Sequence, residues 1–272
     1  MRVVLISQVP PATHGLSALL RGLGHEPVAL LCSREHASRY GNEFERLVRD
    51  APGDLDVVIQ ATRQGIAPLL RRYEPDLALC LGFPWKLPPD ALAVPRHGVV
   101  NGHPSLLPRY RGPNPVAWAI RNGESEIGFT LHRMDAELDT GNILAQASVR
   151  LDDEHSWEEL EPKMVTLVGD LLPVALARAE QGDPGDTQPG EGSYESLFEP
   201  EYRWIDRSRP AAEIYRQVRA WRFASGPPEE RGALTDLDGQ TVRVLRTSFE
   251  PGDGRAMECA DGTLWLVETE AP

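Results

Sequence analysis

Positive charge is scarce in this chain of 272 residues. Lysine occurs only at Lys86 and Lys163, arginine supplies the rest of the 28 basic residues, and 41 acidic residues leave a formal net charge of −13. Non-specific binding of nucleic acid needs clustered Lys and Arg to displace counterions, so this balance counts against that class of function. Cysteine is scarce as well. Cys32, Cys80 and Cys259 stand far apart with no C-x-x-C spacing, which excludes a disulfide framework and points to the reduced thiols of a cytoplasmic protein. Cys32 and Cys80 fall in apolar, strand-like runs and are expected to be buried packing residues. No stretch approaches the ~18 apolar residues of a spanning helix, so no membrane segment is expected. The opening MRVVLIS is too short for the apolar core of a secretory leader. No Walker loop, no G-x-G-x-x-G and no metal-ligand spacing occurs, since His132 and His155 stand alone; no metal is expected.

What the chain does have is alternation. RVVLIS (2–7), EPVALLC (26–32), DLDVVIQA (54–61), DLALCLGFP (76–84) and GVVNGHPS (98–105) are strand-like runs separated by helical patterns. Near-continuous apolar runs suit strands covered on both faces. The expected fold is therefore α/β, a doubly wound, mostly parallel sheet, in which ligands bind beyond the carboxyl ends of the strands. A short helix around 114–125 and strands over 126–134 and 142–151 follow. Residues 157–182 read as one long helix, with Ser156 and Glu159 as a capping box and Pro173 as an expected kink. Residues 183–200 are rich in Gly, Pro, Ser and acids and read as a linker. Beyond them, a helix (208–223) and two Gly-turn hairpins (232–250, 256–271) predict a small, mainly β carboxyl-terminal domain. The expected division is thus 1–182, a linker over 183–200, and 201–272.

One stretch carries chemistry. In VVNGHPSLLPRY (99–110), Asn101 and His103 stand two apart at a strand end, and Asp135 and Asp139 follow in HRMDAELDTGNILAQ (132–146). LDTGN reads as a turn in which Gly141 takes a positive φ. If that turn folds over the strand end, an amide, an imidazole and a carboxylate converge, the set that acyl transfer needs. An Asn NH2 donates to a developing oxyanion, a His carries a proton near neutral pH, and a carboxylate orients it and relays protons. Ser105 lacks the G-x-S-x-G elbow, so direct transfer to an incoming nucleophile is expected, with no acyl-enzyme. Asp135 reads as turn chemistry and His132 as a strand residue facing a neighbour. Trp118, Trp157, Trp204, Trp221 and Trp265 read as packing anchors.

NGHPSLLPRYRG (101–112) together with LDTGNILAQ (138–146) resembles the folate-dependent formyltransferases, and the intervening NPVAWAIRNGESEIGFTLHRM (114–134) is most similar to the sugar-nucleotide and methionyl-tRNA branches. The resemblance covers residues 1–180 and is weaker over 201–272, which are similar to the barrel-like carboxyl-terminal domain of those branches. It implies a Rossmann-like catalytic domain. It also implies Asn101 as oxyanion donor, His103 as catalytic histidine and Asp139 as the carboxylate that positions it. The donor implied is 10-formyltetrahydrofolate, its pterin lying between GFPWKLP (82–88), with Phe83, Trp85 and Leu87, and the turn with Met134, Asp135 and Asp139. Candidate acceptor contacts are Ser7, Gln8, His14, Tyr110 and Arg111. Gly102 stands where many relatives carry a bulkier residue, and is expected to loosen the strand end. The segment after the second strand lacks the long basic insertion of the tRNA-acting relatives, which with the acidic balance lowers tRNA as acceptor. The expected function is N-formyl transfer to the primary amine of a small molecule, such as an amino-sugar nucleotide or a specialised metabolite. A methionyl-tRNA formyltransferase, a 10-formyltetrahydrofolate hydrolase and a non-catalytic folate- or nucleotide-binding module are the alternatives. A homodimer is left open.

Overall fold

β-Branched and leucine side chains covered on both faces build the central sheet, as the uninterrupted burial of Val3–Ser7 and Leu77–Leu81 shows. The computed structural model describes residues 1–8, 10–35, 41–151, 157–225, 230–252 and 254–272; the side chains of 10–14, 41–43, 157 and 158 lie outside that description. In chain order the elements are β1 (Arg2–Ser7), α1 (Pro10–Gly22), β2 (Glu26–Ser33), α2 (Gly41–Asp50), β3 (Asp56–Gln60), α3 (Ile66–Tyr73), β4 (Leu77–Leu81), α4 (Pro89–Leu92) and β5 (Val99–His103). They continue as α5 (Pro115–Arg121), β6 (Glu126–Arg133), β7 (Ile143–Arg150), α6 (Trp157–Glu180), α7 (Ala211–Phe223), β8 (Ala233–Leu237), β9 (Gln240–Ser248), β10 (Arg255–Cys259) and β11 (Gly262–Glu270). The capping box expected at Ser156 lies outside the described residues. Among these residues no helix is long and apolar enough to cross a membrane.

Seven strands form one sheet in the order β3-β2-β1-β4-β5-β6-β7. β3, β2, β1, β4 and β5 run parallel, and β6 pairs antiparallel with β5. This is the doubly wound, mostly parallel fold expected from the alternation. The strand order reverses between β1 and β4, which makes the carboxyl ends there the ligand-binding end of such a sheet. β5 is the next strand out, so Asn101 and His103 arrive beside that switch point. Leu5, Ile6, Leu30, Leu31 and Leu79 are at most 1% exposed, and burying each stabilises the sheet by about 1.5–3 kcal/mol. Cys32 and Cys80 are buried free thiols, as expected.

The chain divides into two compact units, neither of them a continuous stretch. The first comprises Met1–Arg111, Gly128–Val149 and Glu154–Ser193; the second comprises Gly112–Ile127, Arg150–Asp153 and Tyr194–Pro272. The observed division therefore differs from a single cut near residue 182. α5 belongs with the second unit because its aromatic and cationic side chains find partners there. The Arg121 guanidinium lies 3.8 Å from the Tyr202 ring centroid and 4.3 Å from that of Trp118. Phe198 meets Trp118 and Trp221 edge-on at 5.2 and 5.3 Å. Trp118 and Trp221 thus pack as expected, whereas Trp204 is 47% exposed. The second unit also holds an antiparallel sheet, β10-β11-β9-β8, with α7 packed on it through Ile214 and Val218. Residues 183–193, which composition marks as linker, lie on the first unit.

Candidate active site

Asn101 and His103 project from one face of β5 because strand side chains alternate. Between them, Leu81 and Phe129 occupy the space a Cβ at Gly102 would need. The glycine therefore closes the strand end tightly, which corrects the expected loosening. His103 Nε2 lies 2.7 Å from the carbonyl oxygen of Tyr110, so Nε2 carries a proton and donates. That leaves Nδ1 directed at Asp139, 3.6 Å from Oδ2, with the two side chains 7% and 12% exposed.

Asn101 is oriented by a residue that sequence reasoning treated as a strand position. His132 sits directly across from Asn101 in the antiparallel β5–β6 register. Its Nδ1 donates to the Arg133 carbonyl at 2.9 Å, so its Nε2 accepts from Asn101 Nδ2 at 3.1 Å. The same amide nitrogen reaches Asp139 Oδ1 at a longer 3.5 Å, and that is the N–H best placed to turn towards a ligand. Burial pushes the His132 imidazole down to about 4, and the His103 charge adds to that effect while Asp139 opposes it. His132 is thus a neutral acceptor that holds the Asn101 amide in one orientation. Cys80 lies beside Asn101 in the parallel register. Burial first, and the Asp139 charge second, push its thiol up to about 12, so it is inert.

The loop after β5 is braced from within. Thr130, fully buried on β6, donates from Oγ1 to the Ser105 carbonyl at 2.7 Å and accepts from Gln146 Nε2 at 2.7 Å and Leu107 N at 3.3 Å. Ser105 Oγ donates to the Arg109 carbonyl at 2.7 Å and so braces the loop. Leu107–Pro108 is a cis peptide, and Tyr110 takes φ 58°. Tyr110 enters the site through its carbonyl, which accepts from His103.

The second loop carries Asp139. Here the left-handed residue is Asp139 itself, at φ 57°, and not Gly141 as expected. Such a conformation costs a non-glycine residue ~1–3 kcal/mol and persists only where the surroundings enforce it. Gly141 is required for another reason: a Cβ there would collide with the Arg133 carbonyl. Asp135 is exposed and closes the turn, its Oδ1 accepting from Glu137 N at 3.0 Å and Thr140 Oγ1 at 2.8 Å. It is placed as a turn holder.

Of the residues expected around a donor ring, Trp85 and Leu87 are 9% and 1% exposed in the core, with Phe83 and Met134 packed against it. Trp85 Nε1 donates to Glu35 at 2.7 Å. Leu87 also lines a cavity of about 310 Å³ with Arg63, Gln64, Lys86, Pro88, Pro89 and Ala136, so one wall of it belongs to the Asp139 turn. Ser7 and Gln8 lie at the carboxyl end of β1, and Ser7 is in register with Leu81 of β4. Both are buried. Gln8 Nε2 donates to Ser33 Oγ at 2.5 Å, while its Oε1 meets no partner among the described residues. Arg111 is engaged by Gln188. The side chain of His14 lies outside the description. The structure therefore brings Asn101, His103 and Asp139 together, adds His132, and leaves Ser7 and Gln8 two strands away.

The family described as Formyl transferase matches residues 25–176. The methionyl-tRNA formyltransferase of Myxococcus xanthus (strain DK1622) is 35% identical over 230 residues, covering 78% of this chain and 72% of that protein. The GDP-perosamine N-formyltransferase of Brucella melitensis biotype 1 is 37% identical over 172 residues, covering 63% of this chain and 65% of that protein. Two solved structures share the fold. WlaRD, a sugar 3N-formyl transferase crystallised in the presence of dTDP and 5-N-formyl-THF, matches with a TM-score of 0.67 at 18% identity, over 97% of this chain and 96% of its own. HypX from Aquifex aeolicus in complex with tetrahydrofolic acid matches with a TM-score of 0.68 at 20% identity, over 99% of this chain. The chain spans only 44% of the length of HypX.

Proposed function

The chain belongs to the formyl transferase family, and we propose that it moves a formyl group from 10-formyltetrahydrofolate to the primary amine of a small molecule, with an amino-sugar nucleotide as the first candidate. The observation that carries this reading is the convergence of Asn101 Nδ2 and His103 Nδ1 on the Asp139 carboxylate, at 3.5 and 3.6 Å, at the carboxyl end of the sheet. The donor, when bound, supplies an activated formyl carbonyl. Asn101 Nδ2 and the proton at His103 Nδ1 are two donors for an oxygen that gains negative charge, an arrangement worth roughly 3–4 kcal/mol per donor where it has been measured. The Asp139 carboxylate is the base towards which the proton of an attacking amine leaves, directly or through a water, and a proton returned to the folate nitrogen would let its bond to the formyl carbon break and tetrahydrofolate depart. His132 keeps the Asn101 amide pointing inward, and the Tyr110 carbonyl keeps the His103 ring from turning.

The residues present fit the donor. The cavity walled by Leu87, Pro88 and Pro89 offers apolar surface, and Arg63 at its lining is suited to a carboxylate of a folate tail, while Lys86 beside it pairs with Glu137 at 3.4 Å. The small-amine acceptor is supported by the net charge of −13, by the short segment between β2 and α2, and by the likeness to the Brucella sugar formyltransferase and WlaRD. A second reading, transfer to methionyl-tRNA, is favoured by the likeness to the Myxococcus enzyme, of which the chain covers 72%. The test follows tetrahydrofolate release from 10-formyltetrahydrofolate against amino-sugar nucleotides, small amines and charged initiator tRNA. Turnover with a small amine is expected. Turnover with tRNA alone would establish the second reading, and release with no acceptor would identify a hydrolase. Folate binding without turnover would mark a binding module.

A further inference from the structure

Residues 183–193 run across the first unit as a strap. Asp186 and Ile143 exchange two backbone hydrogen bonds of 2.8 Å. Arg178 pairs with both Asp183 and Asp186, at 2.6 and 2.8 Å, and Arg133 Nε donates to the Asp183 carbonyl at 2.8 Å. At its far end Ser193 N donates to the Pro108 carbonyl at 3.0 Å and Ser193 Oγ accepts from Tyr110 N at 2.8 Å. The strap is therefore pinned at both ends, and one polar side chain near its middle reaches into the site.

That side chain is Gln188. Its Oε1 accepts from Arg111 Nε and Nη2 at 3.2 and 2.7 Å. Its Nε2 donates to the carbonyls of Asp139 and Gly141 at 2.7 and 2.9 Å. The amide orientation is unambiguous, since a guanidinium can only donate and two carbonyls can only accept. Gln188 thus ties the loop after β5, whose Tyr110 carbonyl accepts from His103, to the turn that carries Asp139. The residue whose carbonyl it grips is the one held at φ 57°, a backbone that persists only under external constraint. Within the turn, Asp135 holds Glu137 N and Thr140 Oγ1.

We infer that Gln188 is a positioning residue for catalysis, setting the placement of the Asp139 carboxylate relative to His103 and Asn101 through the backbone of the turn. The inference rests on the reading of Asp139 given under Proposed function. It predicts a particular split in kinetics, because Gln188 grips the backbone at Asp139 and Gly141, whereas the cavity proposed for the donor touches that turn at Ala136 and is otherwise lined by Arg63, Gln64 and residues 86–89. Gln188→Glu preserves the shape and the Arg111 contact but sets an oxygen against two carbonyl oxygens. Gln188→Met preserves length and removes all four bonds.

The experiment measures kcat, KM for the acceptor identified by the panel, folate dissociation by fluorescence quenching, and the melting temperature, for the full chain and both variants, with Asp139→Asn alongside. The expected result is a fall in kcat of about 10- to 100-fold in both Gln188 variants, the effect of a misplaced catalytic group, with folate dissociation and melting temperature close to those of the parent. Full kcat in both variants while Asp139→Asn is inactive would overturn this inference and leave the functional reading intact. An unfolded or strongly destabilised pair of variants would overturn it in favour of a strap that only holds the fold. Full activity of Asp139→Asn would instead overturn the reading of the site on which the inference stands.

Discussion

The loop after β5 and the turn before β7 both deliver groups to the candidate site, but they are held in different ways. The β5 loop is braced largely by its own residues and by the strand beneath it: Ser105 bonds Arg109, Thr130 bonds Ser105 and Leu107, and His103 bonds Tyr110, while Ser193 of the strap adds bonds to Tyr110 N and the Pro108 carbonyl. Within the Asp139 turn the Asp135 carboxylate bonds Glu137 N and Thr140 Oγ1, and the carbonyl of its left-handed residue is gripped by Gln188 from a segment 49 residues away. The difference separates two kinds of preorganisation. A loop braced mostly from its own strands keeps most of its bonds when a remote segment is disturbed. An externally gripped turn keeps its geometry only when a remote segment docks, so its precision depends on packing that forms independently.

Breaking the β5 side of this comparison at its reactive end gives the largest effect. Asn101→Ala removes a donor from the reacting oxygen and strips His132 Nε2 of its partner. A fall in kcat of roughly 10²- to 10³-fold is expected, with folate binding retained, as measured by steady-state transfer and fluorescence titration.

The next effect is on stability and its pH dependence. His132 folds with its pKa depressed from 6.5 to about 4 by burial. As pH falls, the unfolded chain takes up this proton first. The contribution is therefore present in full above pH 6.5 and is lost as pH drops towards 4, by up to about 3 kcal/mol. Urea unfolding at pH 7 and pH 5 should show the parent losing stability between them. In His132→Gln that loss is smaller, because the substituted side chain does not titrate. An unchanged loss in the variant would remove His132 as its source.

Bracing within the β5 loop carries the smallest of these effects. Thr130→Val leaves the Ser105 carbonyl, Leu107 N and Gln146 without their shared partner, and costs about 1–3 kcal/mol in urea unfolding. Because the remaining bonds of the loop persist, kcat changes less than in Gln188→Glu. The reverse order would erase the distinction between the two loops.

The same contrast explains what was legible in the sequence. The parallel sheet was, because apolar runs separated by helical patterns are a local signal. Asn101 and His103 were marked as candidates by their place at an apolar strand end taken together with the LDTGN turn further along the chain. His132 was not, since its meeting with Asn101 depends on the β5–β6 register, and pairing partners are not written in either strand alone. The conformation of the Asp139 turn was misread for a related reason. Gly141 is the expected residue for a positive φ, yet the nearby Arg133 carbonyl decides that it serves for close approach. Residues 183–193 have the composition of a linker. Their docking depends on Arg133 and Arg178, whose partners no local pattern reveals. α5 likewise joins the second unit through Arg121, Trp118 and aromatic residues some 80 positions on.

The central claim is that Asp139 takes the proton of the attacking amine while His103 and Asn101 hold the reacting oxygen. Its most direct test is single-turnover formyl transfer by the parent and by Asp139→Asn, with the donor bound and the acceptor saturating. The account predicts a rate lower by about 10³-fold in the variant, within the range for removal of a positioned acid–base group, with donor binding unchanged. Transfer in Asp139→Asn at the parent rate would contradict it.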